Sequence, residues 1–70
     1  MDLRSLVAKN LREIRNAQGV SQEDLAHRAN LNRNYIGMLE SGKHSPTVDT
    51  LEQIADALGI DPIEFFRRTR

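Results

Sequence analysis

The sequence predicts an all-α fold, five short helices around one core, with a closely crossed helix pair at its centre. Three observations predict it. Apolar residues recur at helical spacing, as in Leu3, Leu6, Val7, Leu11 and Ile14, and strand-like alternation appears nowhere. Ser21, Asn32, Thr47 and Asp61 each stand before such a stretch, where a side-chain oxygen can take up free N–H groups. Gly19, Gly42 and Gly59 each follow one, where a helix stops.

The first helix is expected over residues 2–17, with Arg4, Lys9, Arg12 and Glu13 mostly off its apolar face. Val20 then leads the chain into the core. Ser21 opens the second helix, over 22–29, and Glu23 and Asp24 favour the positive end of its dipole. Leu25, Ala26 and Ala29 form its apolar face, small Ala26 allowing a close helix crossing. Asn30 stands where the backbone needs a left-handed turn, which asparagine tolerates better than most residues. Asn32 caps a third helix, over 33–41, that buries Ile36 and Leu39 and turns Arg33, Asn34 and Met38 elsewhere. This is a helix-turn-helix layout, whose usual employment is reading the DNA major groove.

Lys43 to Pro46 reads as a polar loop. A fourth helix follows over 48–58, with Val48, Leu51, Ile54, Ala55 and Leu58 as its stripe. Asp61-Pro62 opens a fifth, over 62–67, with proline at the first position, where its missing N–H costs nothing. Ile63, Phe65 and Phe66 are its apolar residues.

Seventy residues suit one domain, spanning 1–70, and leave no room for a separate catalytic or effector-binding domain. The N-terminus shows no signal-peptide pattern and no apolar run reaches the roughly 20 residues of a membrane span, so a cytoplasmic protein without membrane contact is expected. Without cysteine there is no disulfide or thiolate metal site, and His27 and His44 lack partners at metal-ligand spacing. No catalytic constellation, cofactor motif or small-molecule effector site emerges, so no enzyme is expected. Ten basic residues balance ten acidic ones, but unevenly. Residues 49–64 hold five acids and no Lys or Arg, whereas residues 2–15 hold four bases against two acids. Such polarity can orient a protein on a polyanion at zero net charge.

The runs Ser21-Gln22-Glu23-Asp24-Leu25-Ala26, Leu31-Asn32-Arg33-Asn34-Tyr35-Ile36, Glu40-Ser41-Gly42-Lys43, Pro46-Thr47 and Leu51 through Ile60 carry a resemblance. From about residue 11 to 66 the chain resembles the Cro/cI-type (XRE-like) helix-turn-helix regulators, with a narrower likeness to restriction–modification controller proteins. The resemblance implies a lambda-repressor-like DNA-binding domain. It places the helix from Arg33 in the major groove, with Asn32, Arg33, Asn34 and Met38 toward the bases. Arginine suits guanine O6 and N7, asparagine suits adenine N6 and N7, and Met38 offers a thymine methyl only apolar contact or else packs peripherally. Ser21, Gln22, Lys43, His44 and Ser45 are the expected DNA-backbone contacts, His44 being equally at home as a solvated residue. Tyr35 either reaches a phosphate or packs against the first helix. Arg12 and Arg28 either face DNA or, as the preferred reading, lie on solvated faces. Gly37 in mid-helix either admits a close approach or is a tolerated defect.

By the same resemblance Arg15 and Glu40 form a structural brace that holds the reading helix in register. A single reading helix makes few base contacts, and readers of this kind pair on half-sites of a palindromic operator, so a homodimer is expected. Its seam is placed at the acidic fourth helix and the Ile63–Phe66 segment. Phe66, by family position, closes the core and leaves Phe65 and Ile63 to meet the partner. The expected function is a sequence-specific transcriptional regulator of double-stranded DNA. The alternative is an antitoxin-like subunit that neutralises a partner protein through its C-terminal helix.

Overall fold

A computed structural model describes residues 2–68. Four α-helices are present, α1 (Leu3–Ala17), α2 (Gln22–Ala29), α3 (Arg33–Glu40) and α4 (Val48–Leu58), followed by a 3₁₀ turn, Pro62–Phe66. Each begins at a side-chain cap. Asp2, Ser21, Asn32, Thr47 and Asp61 accept from the backbone N–H of Ser5, Asp24, Asn34, Thr50 and Ile63. The hydrogen bond from the Ser5 N–H, helped by the Ser5 hydroxyl, holds the Asp2 carboxyl below its ordinary 3.8.

The corner between α2 and α3 is the point on which the site depends. Asn30 is the only non-glycine residue among those described with a positive φ, at φ 57° and ψ 44°. That left-handed step lets the Leu31 N–H reach back to the Ala26 carbonyl at 2.8 Å, closing α2 before Asn32 opens α3.

Leu11, Ile14, Leu25, Ala26, Ile36, Leu39, Ile54, Ala55 and Leu58 share one core with Phe65. Two expected stripe residues lie outside it. Leu3 is 55% exposed and Val48 81%, each in the first turn of its helix, beyond the reach of the packed faces.

The fifth helix differs from its sequence-based expectation. It is not α-helical but a five-residue 3₁₀ turn, with Glu64 N–H bonded to the Asp61 carbonyl at 3.0 Å. The chain turns extended at Arg67, and carbonyls that further helical turns would bond are taken instead by Asn10. Its Nδ2 lies 2.8 Å from both the Phe65 and Arg67 oxygens. The tighter winding also reverses the two phenylalanines. Residues three apart eclipse in a 3₁₀ turn, so Phe66 shares the outward side with Ile63, and Phe65 takes the core position. Phe65 is fully buried, while Phe66 is 40% and Ile63 60% exposed. Phe65 is therefore no interface residue.

Candidate nucleic-acid interface

The site is the outward side of the α2–α3 pair. Arg33 and Asn34 stand exposed on the first turn of α3, and neither side chain has a hydrogen bond or ion pair with another described residue. They line a shallow depression of about 420 Å³ together with Gln22, Gly37, Met38, Ser41 and Lys43. Met38 is half-buried at its floor and Lys43 exposed at its rim, also without an ion-pair partner. A guanidinium, a free amide and an ammonium, all uncommitted, thus converge on one concavity. The groups are the donors and acceptors that base edges and phosphates require.

Asn32 takes the capping part expected of it. Its Oδ1 accepts from the Asn34 N–H at 2.7 Å, so it serves as the N-cap of α3. Bidentate pairing with adenine needs both amide atoms. One lone pair of Oδ1 is thus committed to the cap, whereas the Asn34 side-chain amide makes no hydrogen bond to another described residue.

Behind this face lies a network holding α3 to α1 and α2. Arg15 Nε lies 2.5 Å from Glu40 Oε2, and Arg15 Nη2 lies 3.0 Å from Glu40 Oε1. Arg15 Nη1 also donates to the Val20 carbonyl at 2.7 Å, which ties in the segment before Ser21. Glu40 is 4% exposed, a charge kept out of water by a paired guanidinium. Gln22 Nε2 donates to Glu40 Oε1 at 3.0 Å, and Arg12 Nη1 to the Glu40 main-chain oxygen at 3.0 Å. Arg12 is exposed, as expected of a solvated face, and also reaches across to the end of α3. It sits one turn before Arg15 on α1, and that i, i+3 spacing is the signal that places both toward the same helix.

The loop residues divide. His44 rests against Tyr35, ring centroids 6.0 Å apart and tilted 53°, and its N–H bonds the Met38 carbonyl at 3.3 Å. Tyr35 itself packs partly against the core. Ser45 lies away from the reading depression, bordering an apolar groove of about 220 Å³ with Leu3, Pro46, Val48 and Phe66. Ser21 and Gln22 border a second polar depression, shared with Arg15, Glu23 and Arg33. Gly37 has an ordinary helical backbone, and a Cβ there would meet only Gln22 Oε1, at 3.8 Å. The fold does not require glycine at that place.

Two helices crossing at a left-handed corner, with uncommitted polar side chains outward from the second, define a helix-turn-helix domain. The chain belongs to the Helix-turn-helix (HTH_3) family, whose profile matches residues 11–65. It is 38% identical to the uncharacterized HTH-type transcriptional regulator y4dJ of Sinorhizobium fredii, over 99% of this chain and 90% of that protein. Among solved structures it resembles the restriction–modification controller protein C.AhdI from Aeromonas hydrophila. The TM-score is 0.86 at 39% identity, covering 89% of this chain and 94% of that one. The controller protein C.Esp1396I, solved as a tetramer with its natural 35 base-pair operator, gives a TM-score of 0.86 at 36% identity. That match covers 94% of this chain and 87% of the other.

Proposed function

We propose that this protein is a sequence-specific double-stranded DNA-binding transcriptional regulator, not an enzyme, that docks α3 in the major groove as a homodimer. The observation that carries the reading is the pair Arg33 and Asn34. Both are exposed at the α3 start, free of internal partners, and held in place by the Arg15–Glu40 ion pair behind them. Arg33 suits guanine and Asn34 adenine, while half-buried Met38 is left for a thymine methyl. Lys43, Ser21 with its neighbouring amides, and Tyr35 with His44 form the rim that meets phosphates, and such contacts set orientation without reading sequence. Support comes also from the C.Esp1396I likeness, since that controller was solved on operator DNA.

The dimer seam moves relative to its sequence-based placement. Phe65 belongs to the core, and Phe66 takes its part beside Ile63. Leu3 and Val48 extend the exposed apolar surface toward the start of α4. Asp49, Glu52 and Asp56, all exposed on α4, keep that side from a polyanion.

The test is selection of bound sites from a random DNA pool, followed by titration of the selected operator with wild-type and Arg33→Ala protein. The expected result is a two-fold symmetric site, a loss of about 1–3 kcal/mol for Arg33→Ala, and relaxed preference at one base pair. Unchanged affinity and preference would overturn base reading by Arg33.

A further inference from the structure

Gln22 stands at the first turn of α2, where a side chain is expected to hold the DNA backbone, but its neighbours have already decided which end of its amide faces inward. Nε2 donates to Glu40 Oε1 at 3.0 Å, and both oxygens of that carboxylate are held by Arg15. A carboxylate only accepts hydrogen bonds. Turning the amide round would set Gln22 Oε1 against Glu40 Oε1, acceptor on acceptor. Oε1 is therefore the end left over. It lies 3.8 Å from where a Gly37 Cβ would stand, in the depression that Gln22 shares with Arg33, Asn34 and Met38. Gly37 has no side chain to cover it, and no described residue donates to it.

We propose that Gln22 is a specificity-determining residue of this interface, its Oε1 accepting a hydrogen bond from an exocyclic amine in the major groove. The inference rests on the DNA-binding reading above. Phosphate oxygens only accept, so the atom presented has nothing to offer them. In the major groove the amine donors are adenine N6 and cytosine N4, whereas guanine O6 and thymine O4 accept. An acceptor locked by the Arg15–Glu40 pair therefore favours adenine or cytosine over guanine or thymine at one position. A residue of α2 thereby adds a reading element that α3 alone does not have.

Selection from a random DNA pool with wild type, Gln22→Met and Arg33→Ala tests this, because methionine keeps the length of glutamine and removes its polar atoms. The expected outcome is a wild-type preference for adenine or cytosine at a position other than the one Arg33→Ala relaxes. Gln22→Met reduces that preference by roughly three- to tenfold, the worth of one hydrogen bond. On the selected operator, a base analogue without the amine weakens wild type by a similar factor and leaves Gln22→Met unaffected. Whether the adenine or the cytosine analogue has this effect identifies the base. A loss spread evenly over all sequences would put the remaining Nε2 proton on a phosphate and overturn the proposal. So would a change confined to the position read by Arg33, or no change. Gln22→Ala with thermal melts of both variants separates a binding effect from unfolding. If wild type selects no sequence at all, the DNA-binding reading fails, and this inference with it.

Discussion

Asn32 and Glu40 sit at opposite ends of one eight-residue helix, and each has its polar group spoken for. Asn32 Oδ1 stabilises the α3 start, so Asn32→Ala should cost about 1 kcal/mol of stability in denaturant unfolding, as cap losses do. Asn32→Ser keeps a capping oxygen and should restore most of it, with base preference unchanged in a selection experiment. A changed preference in the serine variant would return Asn32 to the readers. Arg15→Ala should be far more damaging, because it strands Glu40 as a nearly buried carboxylate. A loss of about 3–5 kcal/mol is expected, which approaches the whole stability of a domain this small. Chemical denaturation with circular dichroism measures it, and a loss below about 1 kcal/mol would show the pair to behave as a solvated one.

At the scale of elements, α3 carries an avoidable weakness. Gly37 adopts a normal helical conformation, and its missing Cβ would touch only Gln22 Oε1 at an ordinary distance. Gly37→Ala should therefore stabilise the protein by up to about 1 kcal/mol, read as a higher unfolding midpoint. Destabilisation would mean that the Gln22 amide cannot tolerate even a methyl beside it. The C-terminal turn shows the converse dependence, an element set by its partner. Asn10 takes two carbonyls of that segment on one Nδ2, so the turn is positioned from α1 across 55 residues of sequence separation. An asparagine between Val7, Leu11 and Ile14 on an apolar face was a legible anomaly, but nothing in the sequence says which carbonyls it meets.

For the molecule as a whole, the two phenylalanines separate folding from association. Phe65→Ala removes a fully buried ring and should cost about 3–5 kcal/mol, leaving little folded protein at room temperature. Phe66→Ala, from a ring 40% exposed, should lower the melting temperature far less than Phe65→Ala and weaken self-association in sedimentation equilibrium. The opposite pattern would restore the assignment made from sequence. The charge distribution works on this same scale. Acids on α4 and free cations around α3 give the protein two unlike sides at zero net charge, and only the folded arrangement turns one of them toward a polyanion.

Sequence alone determined the four α-helices, the caps at Ser21, Asn32, Thr47 and Asp61, the glycine stops, and the left-handed corner at Asn30. These are decided within a few residues, by hydrogen bonds between a side chain and nearby N–H groups and by the spacing of apolar positions. The family resemblance in the sequence also placed Asn32, Arg33, Asn34 and Met38 toward the bases. Tertiary structure alone decided which polar atoms remain free. Gln22 gave one Nε2 proton to Glu40, and Arg12 a donor to the end of α3. It also decided which phenylalanine enters the core, since that turns on the 3₁₀ winding that Asn10 holds in place. Local order is encoded by neighbours in the chain. The use of each donor and acceptor depends on residues up to 57 positions away, and that pairing exists only once the core has brought α1, α2 and α3 together.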